Sequence, residues 1–392
     1  MTAVEPATAT TTGTTGTTGT AGTATITAAP ARPPGSHVPA ADVVRVLTFA
    51  CVIGVHTLSV THPLDDPRAD ALVMLLHFTR EAFFVLTAFV LMHRYGAAAP
   101  RLGPFWRRRF LLVGVPYVVW TAIYTGLNLV TAPLPPPVAL QGFAWALLTG
   151  TAWYHLYFLL VSMQFYLVFP LFQRLLVWTS GRHGRLLLAA LVLQVLVDLW
   201  IHDPAPVGLK ADLLPYTGSF VGSYVFFLVF GGVVAMHRER VLDAVAAHPV
   251  LVATAVVLTG AAAEGWYLWA VAAGVNAQYA SDVFQPVMIP WVVAVVAGFA
   301  LLGLGWARSR ACPRWVGWAS ERSFGVFLVH PVILWAMTIE GPSAPTADLP
   351  QPLPTIVVYV VAVLGALVLV GLFRATPLRM PLTGKSSDRS RR

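Results

Sequence analysis

Apolar runs of about twenty residues recur along this chain from Asp42 to Arg374, and few folds can accommodate them. A helix needs about 20 apolar residues to cross the hydrocarbon core of a bilayer. On that measure ten spans are predicted, at 41–60, 72–92, 110–131, 155–177, 186–201, 218–236, 249–271, 284–305, 323–339 and 354–373. The stretch 138–150 is apolar but too short to cross, and is expected to lie at the interface or re-enter. Hydrophobic residues make up 57% of the chain and charged residues only 11%. A soluble domain carries about 25% charged residues, so no surface of this composition would be solvated by water. The expected fold class is all-α, a polytopic membrane helix bundle whose solvent is the lipid bilayer.

Residues 1–36 form a Thr/Gly/Ala tract punctuated by Pro30, Pro33 and Pro34, with too few large apolar side chains to offset the entropy of ordering. They are expected to be a disordered tail. The tract has neither the basic start nor the apolar stretch of a signal peptide, so the first helix is expected to enter the membrane by itself. Residues 37–374 then form the bundle and 375–392 a basic tail. Lys and Arg accumulate on the cytoplasmic side of short loops. Here Arg94, Arg101 and Arg107–Arg109 follow the second span, Arg174, Arg182 and Arg185 the fourth, Arg238 and Arg240 the sixth, Arg308, Arg310 and Arg314 the eighth, and Arg374 through Arg392 the tenth. The alternate loops hold Asp65, Asp66, Asp70, Asp203, Asp212, Asp282, Glu340 and Asp348, with Arg68 and Lys210 as their basic residues. Both termini are therefore expected to be cytoplasmic. The net charge of +8 reports orientation, and no nucleic-acid partner is implied. Cys51 and Cys312 supply neither a disulfide framework nor a metal site, and no metal is expected.

An ionisable group inside a span costs about 2.5 to 3.5 kcal/mol on insertion scales, which makes each one a functional hypothesis. The spans contain Arg45, His56, Arg80, Glu81, Asp198 and His330. Arg45 and His56 are eleven positions apart, about three turns, so they share a helix face with roughly 20° of drift and a separation of about 16 Å. Arg45 can equally be a positive-inside anchor, and a single His at a helix end a satisfied interfacial residue. Arg80 and Glu81 point about 100° apart and so each needs a partner from another helix, in an interhelical ion pair or at a substrate. Asp198 reads as a boundary or structural residue. His330 precedes Pro331 and fits a core histidine bonded to a backbone carbonyl freed by the proline. The string Trp153-Tyr154-His155-Leu156-Tyr157-Phe158, with Gln164, Phe165 and Tyr166 beyond it, fits either an aromatic belt or a surface that stacks on a sugar ring.

Four segments, in order, resemble the acyltransferase 3 family of integral-membrane acyltransferases. They are Arg45 and His56 with ten residues between them, Phe83 through Leu91, Arg107-Arg108-Arg109-Phe110 through Pro116-Tyr117, and Ser323 through Pro331. Thr87 and Ala88 stand where the family has Ser and Gly, and Phe324 and Phe327 where it has tyrosines. The segments Phe78–Glu81 and Tyr154–Tyr166 are similar to the membrane protein of poly-N-acetylglucosamine (intercellular adhesin) operons. The resemblance implies transfer of an acyl group, acetyl or succinyl, from cytoplasmic acyl-CoA to a hydroxyl of an extracytoplasmic polysaccharide or other glycan. Acyl-CoA would be a co-substrate, with no further cofactor. On that reading Arg45 and Arg107–Arg109 meet the donor's phosphates, His56 is the general base and Arg80 stabilises the oxyanion. Glu81, Trp153, Tyr154, His155, Tyr166 and His330 are the remaining expected substrate contacts. A polysaccharide exporter or secondary transporter would also have about ten helices with buried charges. No internal repeat or matched pair of broken helices marks such a fold here. A non-enzymatic scaffold or sensor would not require an arginine and a histidine on one helix face. Oligomeric state is not legible in the sequence.

Overall fold

The computed structural model describes residues 38–96, 98–202, 206–308, 314–338 and 349–385. The predicted tail at 1–36 lies outside them, as do Asp203, Arg310, Cys312, Glu340, Asp348 and residues 386–392. The described residues contain helices and turns and no strand. The helices are α1 (Pro39–Thr61), α2 (Pro67–Leu76), α3 (Phe78–Tyr95), α4 (Leu102–Arg109), α5 (Val115–Thr131), α6 (Pro136–Thr149), α7 (Tyr157–Trp178), α8 (His183–Ile201), α9 (Leu209–Leu213), α10 (Val225–Met236), α11 (Arg238–Ala247), α12 (Pro249–Ala272), α13 (Ala277–Ala280), α14 (Met288–Arg308), α15 (Arg314–Thr338), α16 (Leu353–Ala375) and α17 (Arg379–Thr383).

Each of the ten predicted spans overlaps helix, though 72–92 crosses the break at His77 and 218–236 is helical in full only from Val225. Eight stretches among the described residues are long and apolar enough to cross a bilayer, and a ninth is added if Leu209–Ser219 and Val221–Met236, bent by 60° at Phe220, count as one span. The difference from ten is α15, which has 25 residues but carries Glu321, Arg322 and His330. The short stretch at 138–150 lies almost wholly in α6, a helix of 14 residues. At 1.5 Å per residue it reaches about 21 Å, less than the core of a bilayer.

Proline explains two departures from regular helix. The third span is longer than predicted, running from Leu102 to Thr131, and α4 passes into α5 through a π turn at Phe110–Gly114. Pro116 lacks an N–H and its ring collides with the carbonyl four residues earlier, so the preceding turn widens. In α7, Pro170 leaves the carbonyl of Tyr166 without its helical donor, and the Trp106 indole N–H donates to that oxygen at 2.9 Å. That bond ties α4 to the middle of α7.

Helix α1 is central. It packs against α14, α15, α16 and α3, and buries Val44, Thr48, Phe49, Val52 and Ile53. The most extensive helix pair is α3 with α10, where Gly231 lies against the backbone carbonyl of Val85 so closely that no side chain fits between them. Small residues commonly permit such approach in membrane bundles. The C-terminal segment does not trail away as a tail throughout. Residues 376–385 turn back through α17, which packs against α5, α15 and α16.

Candidate active site

Arg45 and His56 share α1 but open into different cavities. Arg45 lines a cavity of about 350 Å³ at the end of the bundle formed by the start of α1, the end of α3 and the start of α15. Its guanidinium donates to Ser320 Oγ at 3.3 Å and stands 4.0 Å from Asp42 Oδ1, while Ser320 Oγ donates to the same Asp42 oxygen at 2.7 Å. Arg109, Tyr166, Glu321 and Lys385 also line this space. The Arg109 guanidinium lies 5.6 Å from the Tyr166 ring centre and 5.9 Å from that of Phe105, placed there by the Trp106 tether.

Of the three adjacent arginines, only Arg109 faces the cavity. Arg107 and Arg108 are exposed, because consecutive helical residues turn away by about 100°. Tyr166 stands beyond the aromatic string at Trp153–Phe158, nine residues into α7 and so about 14 Å along that helix, in the basic cavity.

His56 opens into a cavity of about 70 Å³, lined also by His77, Arg80, Tyr154, His155 and Tyr157. Phe83 and Phe158 line both this cavity and the basic one, so the two spaces meet at an aromatic wall. Ring centres stand 4.3 Å apart for His56 and Tyr154, 5.4 Å for His56 and His330, and 5.7 Å for His155 and His330. Three imidazoles from α1, α15 and the turn before α7 thus converge. His330 Nδ1 lies 3.2 Å from the Val326 carbonyl, which can only accept, so Nδ1 carries the proton and Nε2 the lone pair. The carbonyl freed by Pro331 is that of Phe327, and the His330 ring bonds to it as well as to the Val326 carbonyl, as sequence reading expected. Among the described residues, His330 Nε2 and both His155 nitrogens are buried without a hydrogen-bond partner.

Arg80 connects this space to a third cavity of about 550 Å³ at the far end, lined also by Trp153, Tyr154, Tyr157 and Asp282. Its guanidinium lies 5.1 Å from the Tyr157 ring centre and 5.2 Å from that of Phe284. Glu81 lines none of the three cavities. It is 1% exposed, and among the described residues neither carboxyl oxygen has a hydrogen-bond partner. Asp198 is buried against Gln194, whose amide donates to it at 2.8 Å, in keeping with a structural role.

The family comparison bears on this arrangement directly. A family described as "Acyltransferase domain" (acyltransferase 3) matches residues 38–374. The chain belongs to the acyltransferase 3 family. No curated protein and no solved structure gives a match. As a member of that family it is a multi-pass membrane acyltransferase, and the cavities can be read as parts of an acyltransferase site. Thr87, at the family's serine position, lines the basic cavity. Phe327, at a tyrosine position, lies 5.0 Å from the His155 ring and helps wall the histidine cavity.

Sequence reading missed two residues that line these cavities. His77 occupies the break between α2 and α3, and its Nδ1 is 2.5 Å from the Ser281 carbonyl, so Nδ1 carries the proton and the ring is held in place. Its spacing of three from Arg80 was the available signal, since such residues share a helix face. Lys385 lies beyond the last span, where a basic residue ordinarily reports orientation alone. Its ammonium donates to Glu321 Oε2 at 3.0 Å, and that hydrogen bond holds the Glu321 carboxyl below the usual carboxylate range. Glu321 precedes the predicted span at 323–339.

Proposed function

We propose that this enzyme moves an acyl group from cytoplasmic acyl-CoA to a hydroxyl of an extracytoplasmic glycan. The observation that carries the reading is the sharing of Phe83 and Phe158 between the basic cavity and the histidine cavity, with Arg80 and Tyr154 shared in turn with the far one. A donor held by its phosphates at one end can extend a thioester arm toward an acceptor that enters from the other. Arg45 and Arg109 suit the donor's phosphates, because guanidinium binds phosphate bidentately and is always charged. The alternation of basic and acidic loops supports a cytoplasmic basic end, and with it two cytoplasmic termini.

At the histidine cavity His56 takes the proton from the acceptor hydroxyl as its oxygen attacks the thioester carbonyl carbon. The tetrahedral oxyanion faces the Arg80 guanidinium. Collapse breaks the C–S bond, and the imidazolium returns its proton to the departing CoA thiolate. Trp153, Tyr154 and Asp282 at the far cavity suit a sugar, with rings to stack on and a carboxylate to accept from hydroxyls. Acetyl and succinyl donors both fit this scheme.

The test is to incubate purified protein in vesicles with labelled acetyl-CoA and with succinyl-CoA against a panel of glycans. Label appearing on glycan hydroxyls is the expected result. Glycan uptake into the vesicles without acylation would replace the reading with transport.

A further inference from the structure

We propose that residues 376–385 form one wall of the donor site and that Lys385 binds a phosphate of the donor. The proposal rests on the acyl-CoA reading above and extends it to a segment that follows the last span. Thr383, Gly384 and Lys385 all line the cavity that holds Arg45 and Arg109. The segment is built into place. The Trp120 indole N–H donates to the Leu382 carbonyl at 3.1 Å, and Thr383 is buried.

Gly384 makes the final turn. Its φ is +64°, and a Cβ there would stand 2.5 Å from Phe324 Cε1 and 2.7 Å from the Leu112 carbonyl oxygen. Only glycine tolerates both the left-handed backbone and that approach. The Leu112 carbonyl belongs to the π turn that precedes Pro116, so the widened turn and the glycine fit against one another. The consequence is that Lys385 is delivered to the cavity rim.

Charge at the rim favours an anion. Arg45, Arg109 and Lys385 stand against Glu321 as the charged lining residues, and counting Asp42 behind Arg45 there are three cations against two carboxylates. Glu321 is also 3.6 Å from Arg374 Nη2, so losing Lys385 to a ligand leaves it a partner. A lysine on a flexible four-carbon stem can exchange a carboxylate for a phosphate, whereas Arg107 and Arg108, which sequence reading assigned to this task, face outward. Lys385 thus takes the place those two arginines leave open.

The experiment measures CoA and dephospho-CoA binding, and acyl transfer, for the full chain and its Lys385→Gln and Lys385→Arg variants. Lys385→Gln is expected to weaken CoA binding and raise KM for acyl-CoA about tenfold, the size of one charge-assisted hydrogen bond, with kcat at saturation preserved. Lys385→Arg should recover most of the loss. If Lys385→Gln also weakens dephospho-CoA binding tenfold, the lysine meets the diphosphate; if it leaves that binding unchanged, it meets the 3′-phosphate. Gly384→Val should reproduce the KM effect with a full complement of charges. CoA binding by Lys385→Gln within twofold of the unaltered protein would overturn the proposal while leaving the acyl-CoA reading intact. An unaltered protein that binds no CoA would instead remove the acyl-CoA reading itself.

Discussion

The cavity at Arg45 and the cavity at His56 share Phe83 and Phe158, yet they are built differently. The first is about 350 Å³, and its ionisable groups are largely paired: Arg45 with Asp42 and Ser320, Glu321 with Lys385 and Arg374. The second is about 70 Å³ and is lined mostly by rings, with Arg80 as its one arginine. Paired ions held in place from several elements suit a ligand that brings its own charge and must be released again. Closely packed rings with free nitrogens beside a single guanidinium, that of Arg80, suit proton transfer, where water is excluded and geometry decides the rate. The difference assigns affinity to one end of the shared aromatic wall and chemistry to the other, and each assignment can be broken separately.

The largest effect is expected at His56. His56→Ala should lower kcat by 10²- to 10⁴-fold, the usual contribution of a general base, while CoA binding stays near that of the unaltered protein. His56→Gln keeps a hydrogen-bonding side chain of similar reach but accepts no proton near neutral pH, so it should be as inactive as His56→Ala. Melting temperature and expression measured alongside separate chemistry from folding. Substantial turnover by a well-folded His56→Gln enzyme would take the base role away from His56 and blur the division between the two cavities.

The aromatic wall itself gives the next test. If the thioester arm must pass Phe83, then Phe83→Leu widens the passage and should shift the ratio of kcat/KM for butyryl-CoA over acetyl-CoA about tenfold in favour of the longer chain, the scale on which one or two methylenes are discriminated in an apolar pocket. An unchanged ratio in folded protein would mean that the two cavities do not communicate at this point.

How far each end was legible in the sequence follows the same division. Apolar runs located the helices because a bilayer leaves no other way to satisfy their backbone groups. Arg45 and His56 were readable because both lie on one helix, where spacing alone fixes a shared face. The convergence of His155 and His330 on His56 was not, since it depends on the turn before α7 and on α15 meeting α1 across 99 and 274 residues. His77 lies inside the predicted span at 72–92, where an ionisable group is itself a signal; what stayed hidden is the break between α2 and α3 that orients it, which contains neither Pro nor Gly to announce it. Tyr166 was named as a substrate contact without its end of the molecule, which follows only once α7 is seen to carry it nine residues, about 14 Å, beyond Tyr157. Lys385 was hidden by the general rule that basic residues after a span report orientation, a rule that says nothing of a chain that turns back.

The smallest expected effect separates cavity-facing arginine from surface arginine. Arg109 lies over Tyr166 inside the basic cavity and its Nε is buried with no hydrogen-bond partner among the described residues, whereas Arg107 and Arg108 on the same turn are exposed. Exposed charges are screened within about 10 Å at moderate salt and contribute little to a ligand they do not touch. Arg107→Gln and Arg108→Gln together should therefore alter KM for acyl-CoA by less than about threefold, and the remaining basic residues of the loop, Arg94, Arg101 and Arg109, should preserve insertion. Arg109→Gln alone should raise KM roughly tenfold, as loss of a charge-assisted hydrogen bond to phosphate does. Titrating initial rates against acyl-CoA for the double and the single variant at one salt concentration makes the comparison. A double variant as impaired as Arg109→Gln would mean that the donor extends across the outer face of α4, and the basic cavity would no longer account for its binding.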